Sequence, residues 1–233
     1  MFFDWYYIAL VLPAVIFSLW ASARVNSTFR KYSEQRIISH MTGSDAARMI
    51  LDYNGLNNVR IERVSGNLTD HYDPRSGVIR LSDAVYQGST SAAVGVAAHE
   101  CGHAIQHAKG YFPLKIRNAI VPITNIGSRL SMPLILIGIF LSYTSSSYIS
   151  IAYIGVACFS LCAIFQLVTL PTEYNASRRA VKALECSGRL TSDELKGSKK
   201  VLNAAALTYV AALAVSLMQL LYLLMRVRRN DRR

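Results

Sequence analysis

The sequence predicts a mainly α membrane protein: three to four transmembrane helices plus a small α+β domain with a short β-hairpin or sheet. Two observations lead there. Of the 233 residues, 52% are hydrophobic and only 17% are charged, and the apolar residues collect in four long runs. Between the first two runs the chain turns polar and basic over residues 24–118, a length sufficient for one small domain.

Residues 1–23 read as transmembrane helix 1. The run WYYIALVLPAVIFSLWAS, residues 5–22, is long enough to span and lacks the basic leader of a signal peptide. An uncleaved helix is therefore expected, with Trp5, Tyr6 and Tyr7 at one interface and Trp20 at the other. Within residues 24–118, SDAARMILDYNGL (44–56) sets Ala47, Met49, Ile50 and Tyr53 at helical spacing, behind an N-cap at Ser44 and ahead of a stop at Gly55. VRIERV (59–64) alternates as a strand does, and Ser65, Gly66 and Asn67 make a turn. LTDHY and GVIRLS flank Asp73-Pro74-Arg75-Ser76-Gly77, which is hairpin chemistry. The second strand of that hairpin, about residues 77–82, could offer an edge to an added peptide strand; an ordinary hairpin strand is the other reading. SAAVGVAAHECGHAIQHAK (91–109) is an alanine-rich helix that should be buried, capped by Ser89 or Ser91 and ended by Gly110.

Residues 119–170 form a transmembrane hairpin of two helices joined by the short uncharged link Thr144 to Ser147. Arg129 lies inside the first of these runs, either facing a polar cavity or snorkelling to an interface. Residues 171–203 are polar and basic, 204–225 form a fourth apolar helix, and 226–233 are a basic tail.

The net charge is +11. No stacking or groove-reading motif accompanies it, so nucleic acid is set aside as a partner. The charge instead orients the chain in a bilayer. Twelve Lys and Arg lie in 24–118 and seven in 171–203, against none before the first span. The positive-inside rule then places both segments in the cytoplasm and the amino terminus outside. Four full crossings would leave the five tail arginines outside, so either the fourth run does not cross or the tail departs from the rule. The four cysteines, Cys101, Cys158, Cys162 and Cys186, have no C-x-x-C spacing, and reduced thiols are expected.

The stretch that carries chemistry is HECGH, residues 99–103. On a helix, positions i and i+4 share a face, so His99 and His103 present two imidazoles to one point, where Zn²⁺ takes nitrogen at about 2.0–2.1 Å. Glu100 is rotated about 100° from His99 and suits a general base. A catalytic zinc site needs a third ligand. His107 continues the series, but on a straight helix it lies about 12 Å from His99 along the axis. Glu173, in PTEYNASRRA, is the better candidate. It is expected to open a new helix after Pro171, on the same side of the membrane as the motif, with Ser177 as its i+4 partner.

HECGHAIQH, then a membrane hairpin, then TEYNASRRA, together with LTDHYDPRSGVIRLSDAVYQG, resembles the YugP-type neutral zinc metallopeptidases of bacterial membranes. The likeness runs from about residue 40 to 225. More distantly it resembles membrane gluzincins such as HtpX and the CAAX prenyl protease. In those the third-ligand helix reads E-x-x-x-D; here Ser177 stands at the Asp position, where a hydroxyl could still accept a proton from an imidazole. The resemblance implies a zincin-like domain, one Zn²⁺ per chain held by His99, His103 and Glu173, and Glu100 as the base. Tyr174, Asn175, Arg178, His71 and His107 are candidates for the supporting shell or the oxyanion donor, none singled out. The expected activity is endopeptidase cleavage of membrane or membrane-proximal proteins, by a multi-pass plasma-membrane enzyme with its site on the cytoplasmic side near the bilayer surface. A regulatory membrane partner or a homo-oligomer is compatible with this. The rival reading is a non-catalytic zinc-binding scaffold or adaptor, against which the intact Glu100 counts.

Overall fold

The long apolar runs become long helices, and the polar stretch between the first two becomes a small mixed sheet with helices against it. The computed structural model describes residues 4–66 and 69–231. Met1 to Phe3, the expected turn residue Asn67, the start of the first hairpin strand at Leu68, and the tail residues Arg232 and Arg233 lie outside the described residues. The first elements are α1 (Trp5–Ser33), α2 (Gly43–Tyr53), β1 (Arg60–Val64), β2 (His71–Asp73) and β3 (Val78–Ser82). A single turn, α3 (Asp83–Tyr86), leads to α4 (Ser91–Ala108). Then come α5 (Phe112–Ser142), a 3₁₀ turn (Ser146–Tyr148), α6 (Ile149–Ser187) and α7 (Ser192–Asp231). By length and composition α1, α5, α6 and α7 can each cross a membrane. The chain divides into two compact units: Met1–Trp20 with Lys115–Leu170 and Tyr209–Arg233, and Ala21–Leu114 with Pro171–Thr208.

The first unit is built from apolar helices that bury little of themselves. Val11, Ile135, Ala152, Val156, Leu223 and Val227 make its core, while Ile16, Leu136, Phe140 and Leu167 stay exposed, as lipid-facing side chains do. At one end, Arg226 donates to Asp4 at 3.0 Å and Arg229 reaches the same carboxylate at 3.5 Å. The start of α1 and the end of α7 are therefore together. The fourth run is long enough to span, and two of the tail arginines that seemed to break the charge rule have an acidic partner. Arg129 is exposed on α5.

The second unit has a dense core. Ala46, Ala47, Ile50 and Leu51 of α2, Ile79 and Leu81 of β3, and Val94, Ala97, Ala98, Cys101 and Ile105 of α4 are packed with Ala180 and Leu184 of α6. Alanine at so many of these positions lets helix α4 sit at the centre of the unit. The hairpin forms as expected, with β2 antiparallel to β3, and Gly77 takes φ 64° at its tip. Asp73 locks the turn: bonds from the Ser76 hydroxyl and the Arg75 amide hold its carboxyl down to about 2.

Four sequence expectations are corrected. First, β3 is the middle strand of the order β1-β3-β2, parallel to β1 and antiparallel to β2, so it has no free edge for a peptide. The residues say why: β3 is buried on both faces, which suits a central strand. Second, the cap of α2 is Thr42, not Ser44. Asp45 accepts from the Thr42 amide while the Thr42 hydroxyl accepts from the Asp45 amide, a reciprocal box two positions earlier. Third, the cap of α4 is Thr90, whose hydroxyl accepts from the Ala93 amide at 3.2 Å. Fourth, no new helix opens at Glu173, because α6 runs unbroken through Pro171. Proline removes one intrahelical bond. Here Thr172, Ala176 and Ala180 form a fully buried stripe immediately after it, and that packing keeps the turn helical.

Candidate metal centre

Helix α4 holds His99 and His103 one turn apart, and the approach of α6 brings the third residue to them. Gly102 permits that approach. A Cβ on Gly102 would collide with the carbonyl oxygen of Ala176, so only a glycine lets the two backbones touch there. Glu173 lies three residues before Ala176 and Ser177 one after it. The contact therefore sets both beside the imidazoles.

The resulting geometry could hold a metal ion. His99 Nε2 lies 3.2 Å and His103 Nε2 3.5 Å from Glu173 Oε2. All three donor atoms are within 4.8 Å of one another. Ligands bound tetrahedrally at 2.0–2.1 Å stand about 3.3–3.4 Å apart, so the two observed separations bracket a tetrahedral edge. Two nitrogens and one carboxylate oxygen are also a donor set that zinc accepts. Glu173 is only 2% exposed, an expensive place for a carboxylate unless cations or donors surround it.

The far nitrogens of both rings are engaged, which leaves the near ones aimed at the shared point. His99 Nδ1 is 3.1 Å from the Ser177 hydroxyl. His103 Nδ1 is 3.0 Å from Gln106 Oε1. The orientation of the Gln106 amide follows from its other bonds: its Nε2 donates to the Thr172 carbonyl at 2.8 Å and to Asn175 Oδ1 at 3.0 Å. Oε1 can then only accept, so His103 Nδ1 carries a proton and Nε2 is the nitrogen that faces Glu173. Asn175 Oδ1 is held in turn by Arg179 Nε at 2.7 Å.

The other sequence candidates divide. Ser177 and Asn175 join the cluster, Asn175 through Gln106. Tyr174 is 47% exposed beside Glu173, and Arg178 is exposed on α6. Two candidates are turned to other partners. His71, on β2, pairs through Nδ1 with the Thr69 carbonyl at 2.7 Å, and His107 Nδ1 with the Tyr72 hydroxyl at 3.0 Å. Burial, and then the neighbouring Asp73, raise the Tyr72 hydroxyl above its ordinary range. Glu100 is buried at 8% exposure between the two histidines in sequence. Cys101 points the other way, into the core. Burial pushes its thiol up, which makes it packing rather than chemistry. Sequence reasoning missed Gln106 and Arg179. The available signal was helical spacing: Gln106 is i+3 from His103, a wholly buried amide among alanines, and Arg179 is i+4 from Asn175.

Comparison with known proteins identifies the family. The family described as "Putative neutral zinc metallopeptidase" matches residues 7–228. The "Putative membrane protease YugP" of Bacillus subtilis (strain 168) is 45% identical over 219 residues, covering 94% of this chain and 95% of that protein. No solved structure matches the chain. A match across nearly the whole length settles membership: this chain belongs to the family described as "Putative neutral zinc metallopeptidase".

Proposed function

We propose that the protein is a membrane-embedded, zinc-dependent endopeptidase of the gluzincin type, acting on membrane or membrane-proximal proteins. The observation that carries this is the pair of 3.2 and 3.5 Å separations between two imidazoles and one buried carboxylate. His99, His103 and Glu173 would hold one zinc per chain. Bound zinc supplies Lewis acidity toward a peptide carbonyl and lowers the pKa of water. The chain's own residues do the rest. Glu100 takes the proton of the attacking water and returns it to the leaving amine. Ser177 and Gln106 keep both imidazoles turned toward Glu173. Tyr174 and Arg178, following Glu173 on α6, are the donors best placed in sequence for a developing oxyanion. Glu173 follows the apolar run 148–170 within three residues, which supports substrates emerging at the bilayer surface. The lysine and arginine distribution supports a multi-pass plasma-membrane protein with this site on the cytoplasmic side.

The test is zinc per chain in detergent-purified protein, beside cleavage of a membrane-protein substrate. About one zinc is expected in the wild type, falling at least tenfold in affinity in Glu173→Ala. Glu100→Gln should keep zinc and lose cleavage. Full zinc retention without Glu173 would remove it as a ligand. Unchanged cleavage in Glu100→Gln would remove the base. Zinc in every variant with cleavage in none, wild type included, would turn the reading to a zinc-binding scaffold.

A further inference from the structure

Within the second unit, α1, α6 and α7 line a groove of about 600 Å³. Its residues come from two helical stripes at the same spacing. Arg24, Thr28 and Lys31 follow one face of α1, and Lys200, Ala204 and Leu207 follow one face of α7. Tyr174 of α6 adds a phenol. No acidic side chain is among the described residues that line it.

Two features point to a ligand. The first is charge. Lys31 Nζ lies 5.8 Å and Lys200 Nζ 6.0 Å from the centre of the same Tyr32 ring. The ring attracts each ammonium weakly at that range, yet the arrangement gathers two like charges at one place, with Arg24 in the same groove. An anion with several acceptor oxygens would be attracted to this group of cations, and the Ser27 hydroxyl and Asn203 amide add neutral donors. The second feature is a gradient of polarity. Arg24 stands two residues beyond the apolar run 5–22 of α1, and Lys31 a further two turns away. On α7, Lys200 precedes the apolar run 204–225, and Ala204 and Leu207 begin it. Both stripes thus pass from an apolar run to cations. A ligand that follows them is apolar at one end and anionic at the other.

We propose that this groove binds the phosphate headgroup of an anionic phospholipid, with its acyl chains toward Ala204 and Leu207 and its phosphate among Arg24, Lys31 and Lys200. The proposal does not rest on the peptidase reading; the one residue the two share is Tyr174. A soluble anion would use the cations but not the apolar end. A zwitterionic lipid would use the apolar end but carry no net charge to the cations.

The experiment titrates full-length protein, in a neutral maltoside detergent, with dihexanoylphosphatidylglycerol, dihexanoylphosphatidylcholine or inorganic phosphate. It follows the thermal unfolding midpoint and intrinsic fluorescence. Saturable binding of the phosphatidylglycerol, tighter than either control, is expected. Replacing Lys31→Gln and Lys200→Gln together should weaken it about fivefold per lysine. The Lys31→Arg, Lys200→Arg pair should stay within about twofold, since it keeps the charge, and it serves where the glutamine pair does not fold. Lys199→Gln, which removes one charge from an exposed neighbour outside the groove, should leave binding unchanged rather than weaken it about fivefold. Equal binding of the two lipids, equal binding of inorganic phosphate, or full binding by the glutamine pair would each overturn the proposal. So would an equal loss in Lys199→Gln, or displacement of the lipid by an acidic peptide.

Discussion

His99 and His103 sit one turn apart on a single helix, yet the two flanks of the site hold them differently. His99 leans on one hydroxyl, Ser177, 3.1 Å from its Nδ1. His103 gives its Nδ1 proton to Gln106, an amide with no exposed surface, tied to the Thr172 carbonyl and to Asn175. The i, i+4 spacing determines which face the imidazoles share. It does not determine which ring nitrogen turns to Glu173; that belongs to the partners of the other nitrogen, Ser177 on α6 for His99 and, for His103, Gln106 on α4, itself fixed by α6. Those partners differ in how far water can replace them. A part-exposed hydroxyl has solvent nearby, while a buried amide has none.

The largest effect should come from breaking both flanks at once. Gly102→Ala puts a methyl group against the Ala176 carbonyl, so α6 must move from α4 and take Glu173 and Ser177 with it. Zinc should be lost, with a cost of about 1–3 kcal/mol in stability from overpacking; a zinc titration and a melting curve measure both. Zinc bound normally in this variant would mean the contact can relax without moving the ligands. The two flanks are then separated by single changes. Gln106→Ala should weaken zinc binding about 10–100-fold, because the His103 proton loses its acceptor in a buried place. Ser177→Ala should cost about tenfold or less, with water taking the place of the hydroxyl. Ser177→Asp should regain at least what the alanine loses, since a carboxylate is a stronger acceptor for an imidazole N–H. Equal losses for Gln106→Ala and Ser177→Ala would erase the difference between the flanks.

The same division separates what the sequence made legible from what it did not. The four spans, the hairpin and the burial of the motif helix followed from local patterns: long apolar runs, turn residues around Asp73 and an alanine-rich stretch ending at Gly110. Glu173 was legible as a candidate because an acidic residue stood directly after an apolar run and the topology returned it to the motif. The strand order was not, because parallel pairing of β1 with β3 depends on contacts that no short pattern records. The unbroken path of α6 through Pro171 was hidden for the same reason: the buried stripe Thr172, Ala176, Ala180 overrides the local breaker. The anchoring of Gln106 was hidden, since its bonds reach Thr172 and Asn175 only after α4 and α6 meet at Gly102, whereas Arg179 and Asn175 share α6 and their i+4 spacing was readable.

The smallest expected effect concerns the third histidine, and it sharpens the comparison by exclusion. His107 continues the i+4 series, yet on a straight helix it lies about 12 Å from His99 along the axis. In the structure it is exposed and its Nδ1 pairs with the Tyr72 hydroxyl of the hairpin. His107→Ala should therefore leave zinc stoichiometry and affinity unchanged. It should remove one exposed hydrogen bond, worth about 0.5 kcal/mol, and shift the melting temperature by a few degrees at most. Tyr72→Phe should reproduce that small shift, because it removes the same bond from the other side. If His107→Ala instead lost zinc while Tyr72→Phe did not, the helix would be supplying its third histidine to the metal. Glu173 would then be a neighbour that compensates charge. The two flanks would no longer be the whole support of the site, because the hairpin would carry part of it.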